Sequence, residues 1–479
     1  MHRRAVMLGL SSLAAAPPLD HPASLADLKG DVAILRAALR LHPGLYRYNR
    51  PNEIEARLEA FAPSFIGAGD LGARYLVLSR FLATLRCGHT YANFFNQSGR
   101  VASDVFDRQT RLPFRFRWIE GRMVVTADPE HLGLAPGTEI TGINGISSRE
   151  LLKTLLPYAR ADGHNDAKRT ALLEVQGYDP IEYFDVFHGL IYGVPRNGTH
   201  RLELLTAKGN ASVREVPALD LKQRRNEMGP QPAADAELWN WRVSQEGVAI
   251  LTMPTWAVYN TGWHWKDWLK DRLDSLKGAR GLVIDLRANE GGNDCGHPIL
   301  ARLAQEPIQI VGTERRVRFQ TTPPALDPYL DTWDESFRAL GVGSQPVGDG
   351  FYRLQGESGV TVIAPEGPRF TGPVAALIGP VCSSATFQFA LLAKTNRLLR
   401  LYGEPTGGNL RGINGGSFFF VRLPASGLEF DLPLVGFFPP GHPPDAGLNP
   451  DIRITPSREE IATAKDAAFE AAMHWILSA

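Results

Sequence analysis

The chain has 479 residues, of which 44% are hydrophobic and 21% are charged, and this composition is typical of a soluble globular protein. Its length exceeds what one small core needs and predicts two or three domains. Lys plus Arg and Asp plus Glu both number 51, so the net charge gives no electrostatic reason to expect a nucleic-acid partner. Small molecules or peptides are the partners that we expect.

The N-terminal segment 1–16 has the pattern of an export signal. Arg3 and Arg4 supply positive charge, residues 5–13 form a short apolar core, and Ala14-Ala15-Ala16 is a small-residue cleavage site. The paired arginines resemble a loose twin-arginine signal. The apolar run is too short to span a bilayer, so we expect a periplasmic or secreted protein with no membrane span after cleavage. An uncleaved anchor is the alternative.

Three cysteines, Cys87, Cys295 and Cys382, are too few for a disulfide framework and lack the spacing of a zinc site. One disulfide with a free thiol, and three buried thiols that pack as small hydrophobes, both remain open.

Helical periodicity dominates the chain from Ser24 to about Phe95. Apolar residues recur at steps of three and four from Leu25 to Leu39, from Ile54 to Phe61, and from Leu71 to Leu85. Gly88 is a natural helix stop, so His89 is predicted to lie at a helix-to-strand corner, where its side chain could face a cleft.

A β-rich stretch follows. Residues 114–118 and 123–126 alternate across the Glu120-Gly121 turn as a hairpin does. The sequence from Leu132 to Ile146 resembles the peptide-binding half of a PDZ-like domain, while a plain bracing module is the alternative. Strand-like pieces between Arg201 and Val216 and a polar, Pro-containing stretch from 221 to 234 predict a connection and a linker.

From Gly247 onwards buried strands alternate with helices. The strands begin at Val248, Gly281, Val374 and Leu398, and the helices cover 263–276 and 387–394. This order predicts a largely parallel sheet, whose active-site groups gather at the carboxyl ends of the strands. We therefore divide the chain into an export signal (1–16), a helical domain (24–100), a PDZ-like β-rich module (101–200), a connection and linker (201–240) and an α/β domain (241–479).

Two motifs at strand ends carry the candidate chemistry. Gly291 and Gly292 follow the strand of Asp285, and their exposed amides could stabilise an oxyanion. Ser384 follows the strand of Val374 at a strand-to-helix turn, the position of a nucleophile, with the amide of Ala385 beside it. A serine at such a turn is by itself more often a helix cap.

Taken together, the motifs resemble those of the tricorn-like and C-terminal-processing serine peptidases. The motifs are Arg86-Cys-Gly-His-Thr, the PDZ-like Gly-Thr-Glu-Ile-Thr-Gly, Ile284-Asp-Leu-Arg-Ala-Asn-Glu-Gly-Gly, Ser383-Ser-Ala-Thr, Gly403-Glu-Pro-Thr-Gly-Gly and Gly447-Leu-Asn-Pro-Asp-Ile. The resemblance implies an α/β fold with a ClpP/crotonase-like catalytic domain, an N-terminal helical domain and a PDZ-like module. It also implies a serine endopeptidase that needs no metal and no organic cofactor and acts on peptide or protein substrates.

Residue by residue, the resemblance places the nucleophile at Ser384 and the oxyanion amides at Ala385 and Gly291 or Gly292. The processing branch uses a lysine that aligns with Asn409, and an amide cannot accept the serine proton. The histidine-containing branch fits better, with His89 as the general base, which an imidazole can be at neutral pH.

The acid that would orient His89 is open among three residues, Asp445, Glu429 and Asp431, of which the resemblance favours Asp445. Ser383 and Cys382 are rival nucleophiles, although a free thiol is less suited to an oxidising compartment. Two other functions remain as alternatives: a non-catalytic peptide- or ligand-binding protein on the same fold, and a crotonase-type enzyme of acyl-CoA chemistry, which the export signal disfavours.

Overall fold

The structure is a computed structural model that describes residues 24–230, 232–310, 313–354 and 362–479. The predicted export signal lies outside the described residues. The α-helices are α1 (Leu25–Leu39), α2 (Pro51–Ile66), α3 (Leu71–Ala83), α4 (Gly99–Phe106), α5 (Ser148–Leu155), α6 (Asp166–Leu172), α7 (Tyr183–Tyr192), α8 (Leu221–Glu227), α9 (Trp265–Asp274), α10 (His297–Leu303), α11 (Ser384–Thr395), α12 (Arg458–Ala462) and α13 (Ala467–Ser478). In the part of the chain that the structure describes, no helix combines the length and the apolar character that crossing a membrane requires.

The strands are β1 (Arg115–Ile119), β2 (Arg122–Ala127), β3 (Glu139–Ile143), β4 (Ile146–Ser147), β5 (Thr199–Leu205), β6 (Ala211–Pro217), β7 (Asn240–Val243), β8 (Val248–Thr252), β9 (Gly281–Asp285), β10 (Ile308–Gln309), β11 (Glu314–Val317), β12 (Leu330–Asp331), β13 (Gln345–Pro346), β14 (Tyr352–Arg353), β15 (Val362–Ile363), β16 (Val374–Ile378), β17 (Arg400–Gly403), β18 (Asn414–Leu423), β19 (Leu428–Phe438) and β20 (Ile452–Arg453).

The predicted parallel sheet is confirmed. Its strand order is β20-β17-β16-β9-β8-β7, and every pairing is parallel except that of the edge strand β7. Every residue of β16 is buried, because alternate side chains meet α11 and its neighbours on one face and α13 on the other. The sheet therefore carries the turn before α11 and the loop after β9 at one edge.

An antiparallel sheet holds the β-rich part of the chain, in the order β1-β2-β3-β5-β6, with β4 paired to β3. The predicted hairpin of β1 and β2 is confirmed. β5 and β6 lie in this same sheet, and residue 200, where the sequence analysis places a domain boundary, lies within β5. The predicted linker also contains α8.

The N-terminal helices occur where the periodicity predicts them. Ser24 caps α1 through a capping box with Asp27, and Pro51 occupies the first turn of α2. Their apolar faces pack against β18 and β19, and Asp31 of α1 accepts hydrogen bonds from Ala425 and Ser426 in the turn between those strands. The third sheet, β12-β18-β19-β11-β14-β13, thus joins the C-terminal part of the chain to the N-terminal core.

Candidate active site

Ser384 stands at a strained strand-to-helix turn. β16 ends at Ile378 and α11 begins at Ser384, whose φ of 52° lies in the left-handed region that non-glycine residues rarely adopt. Such strain costs about 1–3 kcal/mol and occurs preferentially at functional sites. The side chain is half-buried, and its hydroxyl makes no hydrogen bond to any described residue. A strained serine with an unengaged hydroxyl is the arrangement of a nucleophile elbow.

Ser383 has a different environment. Its side chain is 2% exposed, and its hydroxyl lies 2.5 Å from the donor Nζ of Lys168. The same hydroxyl donates to the carbonyl oxygen of Glu290 at 3.1 Å. These contacts attach the residue before α11 to the loop that follows β9, so Ser383 holds the turn in place.

The Gly291–Gly292 loop is pressed against this turn. Both residues have positive φ, 108° and 135°. A Cβ on Gly291 would lie 2.8 Å from Cβ of Ser384, and one on Gly292 would lie 2.2 Å from the carbonyl of Trp256. Only glycine fits at these two positions, which explains why the two residues are adjacent glycines.

The amides of this region divide into engaged and unengaged donors. The N–H of Gly291 donates to Oδ1 of Asn289 at 2.8 Å, and the Thr386 hydroxyl donates to the same oxygen. In the described part of the chain, no partner accepts from the N–H of Gly292 or of Ala385, the latter being one of the free donors at a helix start. The sequence predicts three amides as oxyanion donors. The N–H groups of Gly292 and Ala385 are available to a ligand, whereas the N–H of Gly291 is not.

His89 lies in a turn after α3, as predicted, but the next element of the chain is the helix α4 and not the predicted strand. The ring is half-buried and packs against Phe418 at 5.8 Å between centroids, and its Nδ1 is buried without a hydrogen-bond partner among the described residues. Burial lowers the pKa of His89 to about 3, and the positive charges of Arg160 and Lys168 act in the same direction. The imidazole is therefore neutral at neutral pH.

A buried charged network connects His89 with the two serines. Arg160 donates to the carbonyl of Gly88, beside His89, and lies 3.2 Å from a carboxylate oxygen of Glu290. Lys168 lies 3.5 Å from the other oxygen of Glu290 and contacts Ser383. The network brings the segment of His89, the glycine loop and the turn before α11 close together, although no hydrogen bond joins His89 to Ser384 in the described residues.

A family model matches the part of the chain that holds the glycine loop and the serine turn. Residues 247–454, which contain both the glycine loop and the serine turn, match the model of peptidase family S41. This segment belongs to peptidase family S41. The match supports a serine peptidase, and the S41 segment extends from β8 to the end of the parallel sheet.

Solved structures of CPAF show a similar fold over nearly the whole of this chain. Mature CPAF complexed with lactacystin is 16% identical, with a TM-score of 0.62 over 95% of this chain and 98% of that chain. A second structure, of mature CPAF, is also 16% identical, with a TM-score of 0.60 over 94% of this chain and 96% of that chain. The photosystem II D1 C-terminal processing protease is 14% identical, with a TM-score of 0.39 over 92% and 98%. No curated protein matches the chain.

The acid that the sequence favours for His89 lies elsewhere in the S41 peptidase. Asp445 binds Nδ1 of His164 at 2.7 Å and the amide of Asn409 at 2.7 Å, and these bonds lower its pKa against the effect of burial. Its hydrogen bonds do not reach His89. Asn409, at the position where the processing branch has its lysine, also donates to the carbonyl of Asp162 and serves as a structural bridge.

The two other candidate acids are engaged in the core. Asp431 accepts from Asn93 and Asn96, and burial raises its pKa to about 7. Glu429 lies 3.7 Å from Arg422, and burial raises its pKa to about 8. Neither carboxylate hydrogen-bonds to His89 in the part of the chain described here, so geometry supplies no orienting acid for the base.

The rival nucleophile Cys382 faces the sheet. Its thiol donates to the carbonyl of Leu286 at 3.1 Å and accepts from the N–H of Gly379. All three cysteines are buried thiols, and no disulfide joins them. The alternative in which the cysteines pack as small hydrophobes is the one that the structure has.

Lys168 and Arg160 are the site residues that sequence reasoning missed. They come from the stretch between α5 and α7, which carries no motif, and α6 places Lys168 against Ser383 from a sequence separation of 215 residues. Glu290 does have a signal in the sequence, because it directly precedes the pair Gly291–Gly292. No sequence signal distinguishes Lys168 from a solvated lysine.

Proposed function

We propose that this S41 peptidase hydrolyses internal peptide bonds through an acyl-enzyme, with Ser384 as nucleophile and His89 as general base. One observation carries the proposal. The strained Ser384 presents an unengaged hydroxyl beside two unengaged amides, those of Gly292 and Ala385. This is the pairing of nucleophile and oxyanion donors that acyl transfer requires.

In the first step, the Ser384 hydroxyl attacks the scissile carbonyl carbon while its proton passes to His89. The tetrahedral oxyanion accepts from the amides of Gly292 and Ala385. His89 gives the proton to the leaving amine. A water molecule then loses a proton to His89 and attacks the acyl carbonyl, and His89 returns that proton to Oγ of Ser384 as the ester C–O bond breaks. Glu290 favours the transient imidazolium, since its charge raises the pKa of His89 while Arg160 and Lys168 lower it.

We further infer that the antiparallel sheet with α5 is a PDZ-like module and that the parallel sheet is ClpP/crotonase-like. The β3–β4 hairpin and the following helix support the first inference, and the helix-covered parallel sheet supports the second. The charged segment 1–16 supports export to the periplasm or the medium. N-terminal sequencing of the exported protein should then begin near Pro17.

A second candidate, a non-catalytic peptide-binding protein, is favoured by the unpartnered Nδ1 of His89. A base without an orienting partner is a weaker base. The two candidates make the same prediction for peptide binding and differ only in the reactivity of Ser384.

A fluorophosphonate probe distinguishes them. We expect the folded wild type to be labelled once, at Ser384 by peptide mapping, and Ser384→Ala to lose the label. Ser383→Ala is the matched control, because it removes the neighbouring hydroxyl and should leave the label in place. An unlabelled but folded wild type supports the binding protein, and labelling at Ser383 overturns the assignment of the nucleophile.

A further inference from the structure

Two polar atoms at the turn of His89 are buried and have no hydrogen-bond partner in the described part of the chain. One is Nδ1 of His89, and the other is Oδ2 of Asp162. The Asp162 residue is 0% exposed, so its carboxylate has no contact with solvent. Native structures contain few such atoms, and each one calls for an explanation, of which a catalytic role is one.

Asp162 binds the segment that carries His89. Its other oxygen, Oδ1, accepts a hydrogen bond from the N–H of Gly88 at 2.9 Å. Arg160, two residues earlier in the same loop, donates to the carbonyl of Gly88. The loop therefore holds both backbone groups of the residue that precedes His89.

Gly88 leaves the space that this carboxylate fills. A Cβ on Gly88 would lie 2.7 Å from Oδ2 of Asp162 and 3.1 Å from its Cγ. The backbone of Gly88 does not itself demand glycine, because its φ is not in the left-handed region. The carboxylate thus stands where a side chain at position 88 would stand. Since consecutive Cα atoms are about 3.8 Å apart, Oδ2 lies at most about 8 Å from Cα of His89.

The His89 ring turns Nδ1 towards the interior. The residue as a whole is half-buried while Nδ1 is fully buried, so the exposed part of the ring lies away from Nδ1. Nε2 faces Gly415, on which a Cβ would be 3.9 Å away. In a serine–histidine pair, one ring nitrogen takes the serine proton and the other donates to an acceptor that fixes the tautomer. Burial assigns the second role to Nδ1.

The surroundings of Asp162 favour an ionised acceptor. Burial raises the pKa of its carboxyl, and the hydrogen bond from Gly88 acts in the opposite direction. The same opposing effect comes from three positive charges, those of Lys168, Arg47 and Arg160. A carboxylate is a stronger acceptor for an imidazole N–H than a neutral group is.

Glu290 is the other carboxylate near this turn, and its charge raises the pKa of His89. Its two oxygens lie 3.2 Å from Arg160 and 3.5 Å from Lys168, so each oxygen faces a cation. Among the described residues, no cation forms an ion pair with Asp162. Oδ2 of Asp162 is therefore the better placed of the two carboxylates to accept from the imidazole.

We propose that Asp162 is the positioning residue of His89 and that its Oδ2 accepts a hydrogen bond from Nδ1–H in the catalytically competent conformation. The proposal rests on the proposed peptidase function. Catalytic hydrogen bonds are often long in a free enzyme and tighten in its complex with substrate, so the bond need not be formed beforehand. Nε2 then takes the proton of Ser384, and Asp162 stabilises the imidazolium without taking a proton itself.

Asp162→Asn tests the proposal. The amide oxygen can still accept from Gly88, but the amide NH₂ now faces Nδ1 and favours the tautomer with its proton on Nε2. We expect the rate of fluorophosphonate labelling at Ser384, and kcat with little change in KM, to fall by at least about 10²-fold, towards the loss of about 10⁴ known for the acid of a serine-peptidase triad. ¹⁵N NMR of histidine-labelled protein, with His89 assigned by comparison with His89→Gln, should show the proton moving from Nδ1 to Nε2.

Asp31→Asn is the matched control. Asp31 is likewise a buried aspartate that accepts backbone N–H bonds, but its donors are Ala425 and Ser426 in the turn between β18 and β19. This change should leave the labelling rate within about twofold of wild type and the tautomer of His89 unchanged, whatever it does to the melting temperature.

Gly88→Ala is a second variant that displaces the carboxylate instead of removing it. Its Cβ would overlap Oδ2 of Asp162, so the labelling rate should fall here too, and adding Asp162→Asn should cost little more. An unchanged labelling rate or tautomer in Asp162→Asn, or an equal loss in Asp31→Asn, overturns the assignment. A wild type that is not labelled at Ser384 overturns the peptidase function itself, so the two failures are distinguishable.

Discussion

The two halves of the candidate active site are built in opposite ways. The nucleophile half is backbone: the Gly291–Gly292 loop and the first turn of α11, held together because no Cβ separates them. The base half is made of side chains, His89, Arg160 and Lys168, which come from separate segments and meet Glu290 in a buried network. The glycine loop and the serine turn take their shape from local conformation. The cluster of His89, Arg160 and Lys168 forms only when the N-terminal part of the chain packs on the parallel sheet.

The largest effect should come from the backbone half. Gly292→Ala puts a Cβ 2.2 Å from the Trp256 carbonyl and displaces an oxyanion donor. We expect kcat/KM for peptide hydrolysis to fall by about 10²–10³-fold, the loss seen when one oxyanion donor is removed. Gly278→Ala is the control, since Gly278 also has positive φ but has open space around it. Equal losses in both variants would mean that strain, and not the oxyanion donor, is responsible.

The side-chain half is tested by Lys168→Met. This change removes a buried ammonium that is paired with Glu290, so we expect the free energy of unfolding to fall by roughly 3 kcal/mol. The displaced turn should reduce kcat/KM on the order of 10²-fold.

The pH dependence of kcat/KM distinguishes an electrostatic effect of Lys168 on His89 from a merely structural role of Lys168. Protonation of His89 removes the base, so wild-type kcat/KM should rise with pH through about 3 and be flat above. The charge of Lys168 disfavours the imidazolium; its removal raises the pKa of His89, and the acid limb should move to higher pH. The exposed Lys29→Met is the control and should leave the limb in place. An acid limb that stays in place in Lys168→Met contradicts the electrostatic role of Lys168.

The smallest effect is expected at Asp445. Because its partners are His164 and Asn409, Asp445→Asn should change kcat less than about threefold, compared with about 10⁴ for the acid of a serine-peptidase triad. His89→Gln, measured in parallel, should lose most activity. A large loss in Asp445→Asn would place this carboxylate back in the catalytic group.

The sequence predicts those parts of the fold that local hydrophobic patterns encode. Buried runs at Val248, Gly281 and Val374 gave the parallel strands, since strands covered on both faces are continuously apolar. Local patterns could not place the domain boundaries. β5 and β6 pair with strands that lie some eighty residues earlier in the chain, and β18–β19 pack on α1. Pairing between strands that are distant in the chain produces no recognisable pattern in the sequence of either strand.

The sequence by itself determined the strand-turn-serine, the adjacent glycines and the His89 corner, because each is a short motif whose backbone geometry demands particular residue types. Only the tertiary structure decided which amides are free, that Ser384 and not Ser383 carries the strain, and that Asp445 binds His164. It also brought Lys168 to Ser383. These are consequences of side chains from distant segments competing for the same partners, which no single stretch of sequence specifies.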